Sequence, residues 1–222
     1  MAVRQGRISD FKPLLTNLAQ TSHYEFQFGG LPAPLRSYLK RKNIDYSFVT
    51  NEVGLLCNAA SIPGYDYTTF EARGNFTGIV EKFAHIRNQR DTYLTFYVDK
   101  SYKTLIFFNG WMDFISSGSY DPGNMRFQNE KGYHTRMRYP EEYKCNSSRI
   151  IKFDRDYKVE LEINFVDMFP TFIMEPQLSY QNSEILNLTV GFTYTRYIMG
   201  KTSSISEVLG SSNLQSYAGN LP

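Results

Sequence analysis

The amino-acid sequence predicts a mainly β fold of the α+β class, an antiparallel β-sandwich or barrel with one packing helix. Aromatic residues make up 16% of the 222 residues, with 17 tyrosines and 17 phenylalanines, and such side chains favour pleated, half-buried surfaces. Several segments alternate apolar and polar residues as strands do, whereas one long segment repeats its apolar residues at helical spacing. A chain of this length suits one domain, or one domain with arms.

The clearest predicted strands are residues 157–165 and residues 186–194. In the first of these, apolar side chains alternate with polar ones that include Glu160 and Glu162. Strands with one polar face suit an antiparallel sheet that covers a core on one side and meets water on the other. The other segments with strand-like patterns are residues 23–28, 46–50, 55–60 and 93–99.

Residues 103–117 predict the packing helix. Apolar side chains recur there at helical spacing, and Trp111 lies beside their stripe. We expect this helix to pack on the sheets, with Trp111 as a packing residue. A shorter helix with a basic face is predicted at residues 34–43, where Pro34 suits the first turn.

Residues 55–64, with the sequence LLCNAASIPG, predict an apolar strand that ends in a turn. Proline presets φ and glycine accepts a positive φ, so Pro63 and Gly64 are typical of a tight turn. The stretch that follows, residues 65–78, fits a long, bent hairpin. We therefore expect Pro63 and Gly64 to have a structural role, which is to start that hairpin.

One β domain is predicted over residues 23–199, with an insertion at residues 30–51 and a long loop at residues 119–139. The loop is polar and rich in turn residues, and such loops often take part in binding. An N-terminal arm, residues 1–22, precedes the domain. Residues 200–222 form a tail rich in Ser, Gly and Asn, which we expect to be disordered or to become ordered on a neighbouring molecule.

Composition and charge argue against several classes of protein. The formal net charge of +2 gives no global basic field of the kind that a DNA-binding surface carries. No apolar run approaches the ~18–20 residues of a membrane span, and the first residues lack the apolar core of a signal peptide. We expect the two cysteines, Cys57 and Cys145, to be free and reduced.

No pattern of catalytic or ligand-binding residues is found in the sequence. The three histidines lie in separate predicted elements without metal-ligand spacing, and there is no nucleophile elbow, phosphate-binding loop or nucleotide fingerprint. A Cys57–His85 dyad can be drawn, but nothing near either residue favours it. The sequence therefore predicts no enzyme, no metal site and no cofactor. Basic clusters at residues 36–42 and 136–144 are either solvated surface or a contact with an acidic neighbouring subunit.

The order of these segments resembles the tail-tube protein family of contractile-tailed bacteriophages. The matching pieces run from residue 24 to residue 197, and their order and spacing carry the resemblance rather than any one motif. They are CNAASIPG at residues 57–64, the strand at residues 95–99, the helix around Trp111, YPEEYK at residues 139–144, the strand that closes with MFP at residues 168–170, and residues 188–194.

The resemblance implies a structural virion protein that forms a ring of the tail tube or of the tube–baseplate junction. Six subunits would close into a ring with a continuous inner β-barrel, and that channel would pass the phage DNA during ejection. The arm, the insertion and the tail favour the baseplate-proximal initiator ring slightly over the bulk tube. The implied location is the phage tail, after assembly in the host cytoplasm and without a membrane.

The resemblance also implies partners and a channel wall. The neighbours would be other copies of the chain and the adjoining tube or baseplate rings, together with a sheath, hub or tape-measure protein. DNA must slide without sticking, so we expect acidic and uncharged groups in the lumen, with Glu160 and Glu162 as candidates. The alternative from another class is a β-rich binding module for single-stranded nucleic acid or a small ligand, because tyrosine-rich strands can form stacking platforms.

Overall fold

The computed structural model describes residues 19–72, 78–116, 137–153, 159–180 and 184–200. Most of the predicted N-terminal arm and long loop lie outside these residues, as does the tail beyond Gly200. In chain order the elements are β1 (Tyr24–Gln27), α1 (Ala33–Arg41), a π-helical turn (Phe48–Glu52), β2 (Cys57–Ala60), β3 (Tyr65–Ala72), β4 (Glu81–Gln89), β5 (Thr92–Tyr97), α2 (Lys103–Ser116), α3 (Pro140–Tyr143), β6 (Ser148–Phe153), β7 (Val159–Val166), β8 (Phe169–Ile173), β9 (Asn187–Thr193) and β10 (Arg196–Gly200).

The strands form two four-stranded sheets and one separate hairpin. The first sheet has the order β1-β6-β7-β10, and the second sheet has the order β2-β5-β9-β8. Strands β3 and β4 pair only with each other, and we call this pair the hairpin. All of these pairings are antiparallel. The predicted mainly β, antiparallel fold is therefore confirmed.

The core lies between the two sheets and is rich in aromatic rings. Phe28 follows β1, and its ring centroid lies 6.1 Å from that of Phe192 in the second sheet. Helix α2 contributes Phe108, whose centroid lies 4.8 Å from that of Phe96, together with the fully buried Trp111. These contacts explain why so aromatic a sequence folds as a sandwich, since each large ring removes much apolar surface from water.

The helical layer differs from the prediction in two respects. Helix α1 packs against α2, so α2 is not the single packing helix. Residues 46–50, predicted as a strand, instead lead into the π-helical turn. The buried side chains there are Phe48, Val49 and Val53, which is a helical spacing, and the apparent alternation was too short to specify a strand.

The link between β2 and β3, residues 61–64, is a joint rather than a chain reversal. Ser61 N–H donates to the Tyr93 carbonyl at 3.0 Å, and Arg90 N–H donates to the Gly64 carbonyl at 3.1 Å. Hydrogen bonding thus continues from the β2–β5 pair into the hairpin. The φ of Gly64 lies outside the left-handed range of +20° to +160°, and a Cβ placed there would meet no atom within 4 Å. The turn signal at these two residues therefore does not involve a left-handed glycine, and the role of Pro63 and Gly64 in starting the hairpin stays a prediction.

Candidate assembly surfaces

The hairpin exposes a cluster of large apolar side chains on one of its faces. Phe70 of β3 lies directly opposite Phe83 of β4, and Thr68 lies opposite Ile86. The exposed fractions are 59% for Phe70, 52% for Phe83 and 51% for Ile86. We call these three side chains the hairpin apolar face. An isolated two-stranded hairpin is marginally stable in water, and exposed apolar clusters commonly mark contact sites.

The other face of the hairpin is polar and connects its base to the domain. Glu71 and Lys82 form an ion pair at 3.3 Å across the two strands. The Arg87 guanidinium stacks on the Tyr65 ring at 3.9 Å, and the Tyr65 ring lies 6.4 Å from that of Tyr197 in β10. The base of the hairpin is therefore held against the first sheet, while its apolar face is left uncovered.

The second sheet has an uncharged outward face. None of its four strands contains Asp, Glu, Lys, Arg or His. In β5, Tyr93, Thr95 and Tyr97 alternate with the buried Leu94 and Phe96. We call the following set of outward side chains the uncharged face: Asn58, Tyr93, Thr95, Tyr97, Phe172, Asn187 and Thr189.

Contacts between neighbouring strands hold the uncharged face in place. The hydroxyls of Thr95 and Thr189 lie 3.0 Å apart, and Asn58 Nδ2 donates to Asn187 Oδ1 at 3.2 Å. The Phe172 ring covers Gly191, where a Cβ would lie 2.1 Å from that ring. These cross-strand pairs give the sheet a surface of fixed hydroxyl, amide and aromatic groups.

The first sheet, by contrast, carries a charged network on its outward side. Gln27 Nε2 donates to Glu25 Oε1 at 2.7 Å, and Arg149 Nε donates to Gln27 Oε1 at 2.9 Å. Arg149 Nη1 also donates to Glu162 Oε1 at 3.4 Å, and Glu162 is only 6% exposed. The Glu162 carboxylate is therefore covered and paired with a cation. The side chain of Glu160 lies outside the described ones, and no described contact tests whether either residue faces a channel.

The other residues singled out in the sequence have structural surroundings. Trp111 lies in the core, and its indole Nε1–H donates to the Tyr143 carbonyl at 3.0 Å, which ties α2 to α3. Pro63 is buried in the joint, next to Gly64. The Trp111 contact thus links two elements of the helical layer, whereas the role of Pro63 and Gly64 in starting the hairpin stays a prediction.

The two cysteines are free and have raised thiol pKa values. Burial raises the pKa of Cys57 to about 12 and that of Cys145 to about 11, so neither is an activated nucleophile. The Cys57 Sγ donates to the Ala59 carbonyl at 3.5 Å. Among the described residues, no group of three acidic, histidine or cysteine side chains could hold a metal ion. No helix in the described ranges is long and apolar enough to cross a membrane.

Sequence analysis did not predict the hairpin apolar face or the uncharged face, although each corresponds to a pattern in the sequence. The hairpin apolar face appears only when β3 is aligned with β4, because a bulge shifts their register between Thr68 and Thr69. The absence of charge from β2, β5, β8 and β9 is visible in the sequence, but it gains meaning only once these four strands are known to share a sheet.

Comparisons with known proteins agree with this architecture. The family model described as phage tail tube protein matches residues 19–200. The fold is similar to that of a chain in the extended sheath–tube complex of PVC, an extracellular contractile injection system, with a TM-score of 0.50, 12% identity and coverage of 89% of this chain and 100% of that one. A chain in the tube-terminating cap of the anti-feeding prophage gives a TM-score of 0.50, 13% identity and coverage of 91% and 100%. The chain matches no curated protein sequence.

Proposed function

The chain belongs to the phage tail tube protein family, and on that premise we propose that six copies close into a ring around a channel. The family makes the protein a structural component of the tail. The ring would be part of the tail tube or of the tube–baseplate junction. Its role would be mechanical, and no step of it requires a catalytic group, a metal or a cofactor.

The observation that carries the proposal is the second sheet, which combines an uncharged outward face with two edge strands. Strands β2 and β8 lie at its edges and have no further strand partner among the described residues. Edge strands present free N–H and C=O groups, and closure of a ring of subunits removes such edges. Pairing of these edges between copies would extend the second sheet into a continuous barrel.

We assign the channel wall to the uncharged face rather than to Glu160 and Glu162. A protein that neutralises six to ten phosphates gains an affinity that changes by ~10³–10⁵ over a modest range of salt. Six copies of one lysine could approach that number, and DNA would then stick instead of sliding. A wall of threonine, asparagine and tyrosine groups avoids this, whereas Glu162 belongs to the first sheet and is paired with Arg149.

The hairpin apolar face supports contact between copies. Its three side chains are each more than half exposed in a single copy, so a second copy is the occupant that a self-assembling ring or stack supplies. The joint at residues 61–64 carries β2, an edge strand of the proposed barrel, directly into this hairpin. A hairpin that reaches the next copy would therefore couple the barrel of one subunit to its neighbour.

The position of the ring along the tail is the finer part of the proposal. We favour the baseplate-proximal initiator ring, because the arm, the insertion at residues 30–51 and the tail offer contacts beyond those of a repeating subunit. Its neighbours would then include a baseplate ring and the first tube ring, with a sheath, hub or tape-measure protein nearby. Assembly would take place in the host cytoplasm, and DNA would pass through the finished channel.

Electron microscopy of the purified protein tests this function. We expect rings or tubes with a central channel that is wide enough for duplex DNA. Spontaneous growth into long tubes would favour the bulk subunit, whereas arrest at one ring would favour the initiator. A stable monomer that binds oligonucleotides in a salt-dependent way would contradict the proposal and support a single-strand binding module.

A further inference from the structure

Helix α1 presents a row of cations on the side that faces away from the core. Leu35, Tyr38 and Leu39 are buried against the domain. Arg36, Lys40 and Arg41 lie on the exposed side, and the first turn of the helix contains no acidic residue. The spacing of Arg36 and Lys40 places them one turn apart on the same face.

These three cations have no acidic partner within the described part of the chain. None of the ion pairs in the described ranges involves Arg36, Lys40 or Arg41. The neighbouring Lys42, by contrast, binds Asp113 at 2.7 Å. The Arg36 guanidinium lies over the Tyr46 ring at 5.1 Å, which holds it in place without neutralising it.

Two of these cations, Arg36 and Lys40, border a shallow groove of about 350 Å³. Its lining consists of Ala33, Arg36, Ser37, Lys40 and Tyr46. The two cations and the two hydroxyl groups can all donate hydrogen bonds, and an arginine can hold a carboxylate with two parallel N–H donors. The small side chain of Ala33 leaves room for a polypeptide backbone. We call this region the basic groove.

We propose that the basic groove binds an acidic segment of a partner protein at the flank of the ring. This inference rests on the proposed function. Helix α1 packs against α2 and α3, so the basic groove belongs to the helical layer and not to the outward face of either sheet. It therefore lies outside the proposed channel wall, where DNA passes, and none of its lining residues belongs to the edge strands β2 and β8 that would join the copies.

Binding of a labelled acidic peptide to the full chain tests the inference. The probe is a fluorescein-labelled peptide of alternating Glu and Gly residues, followed by fluorescence anisotropy at low salt and at physiological ionic strength. The wild-type chain should bind it, with an affinity that falls as salt rises. The double variant Arg36→Glu with Lys40→Glu should weaken binding by about tenfold or more, because it turns two attractions into two repulsions.

A matched double variant separates the basic groove from total charge. Lys100→Glu with Arg196→Glu changes the net charge equally at two exposed cations outside the groove, and it should weaken binding by less than about threefold. The milder double variant Arg36→Gln with Lys40→Gln should give an intermediate loss of peptide affinity. It removes the two charges without reversing them, so it serves as a second test if the charge-reversed variant fails to fold. Equal losses in the groove variant and in its matched control would overturn the inference.

Two further readouts complete the test. The first is competition by a single-stranded oligonucleotide. If the oligonucleotide displaces the peptide from the wild-type chain and binds more tightly than the peptide does, the choice of partner is overturned. Electron microscopy of the Arg36→Glu, Lys40→Glu variant should still show rings, because neither residue lies in an edge strand or in the hairpin. If the wild-type chain binds the peptide but forms no rings, the proposed function fails while the basic groove stands as an acidic-peptide site.

Discussion

Removal of the hairpin apolar face should weaken assembly without unfolding the subunit. The change is Phe70→Ser together with Phe83→Ser, two residues that lie opposite each other across the hairpin. Neither belongs to the core cluster between the sheets, so the domain should keep its stability. Both side chains would be covered only when a second copy binds, and their loss should therefore appear in association and not in folding.

The size of the effect follows from the exposed fractions. Full burial of a phenylalanine side chain contributes ~1.5–3 kcal/mol, and each of these two rings is a little more than half exposed in the single subunit. Covering the remaining half contributes ~0.8–1.5 kcal/mol for each ring, or ~1.5–3 kcal/mol for the pair. Each contact between copies should therefore weaken by about 10- to 150-fold.

Sedimentation velocity over a range of protein concentrations measures this shift. The matched control is Tyr102→Ser with Tyr139→Ser, which removes two exposed aromatic rings, 54% and 67% exposed, from outside the hairpin. Assemblies of the control should appear at the wild-type concentration, and those of the hairpin variant only at a concentration at least about tenfold higher. An unchanged threshold in the hairpin variant would refute the idea that this face contacts another copy.

The remaining predictions concern the single subunit. Gly64→Ala should leave the free energy of unfolding unchanged or raise it by ~0.4–1 kcal/mol, because its backbone conformation accepts a Cβ. Gly29→Ala should lower the free energy of unfolding by ~1–3 kcal/mol, since a Cβ there would lie 1.8 Å from a backbone oxygen. Urea denaturation compares the two variants, and equal effects on stability would contradict this geometry. Trp111→Phe should lower the free energy of unfolding by ~1–3 kcal/mol, because it removes a hydrogen bond to a backbone carbonyl and leaves a void in the core. A neutral change in the same urea assay would contradict this. Burial raises the thiol pKa of Cys57 to about 12 and that of Cys145 to about 11. The folded state should therefore lose stability as the pH rises from the ordinary thiol pKa of 9.0 toward 11, because the unfolded chain gives up these protons first. Alkylation of the folded chain by iodoacetamide near neutral pH should be slow, and fast alkylation would contradict this.

The parts of the fold that the sequence predicts best are those with long, regular patterns. Strand β7 and strand β9 were predicted from alternation, because a half-buried strand needs one apolar face over its whole length. Helix α2 was predicted to within a residue or so from its apolar stripe, and β5 from its alternation. In each case a local period of the chain decides which side chains face the core.

The parts that the sequence predicts poorly depend on contacts between distant segments. The polar residues of β7 indicated a wet face, yet Glu162 is covered and bound to Arg149 of β6, a contact that no local pattern reveals. Gly64 looked like a turn residue, but the hydrogen bonds on both sides of it extend the pairing into the hairpin. The uncharged face likewise depends on four strands that are scattered between residues 57 and 193.

A three-dimensional reconstruction of the assembled wild-type protein by cryo-electron microscopy would show whether copies close into a ring whose channel is lined by the second sheet. We expect six copies per ring, with Tyr93, Thr95 and Thr189 facing the axis. A ring in which Glu25, Arg149 and Glu162 of the first sheet face the axis, or an assembly without a channel, would contradict it.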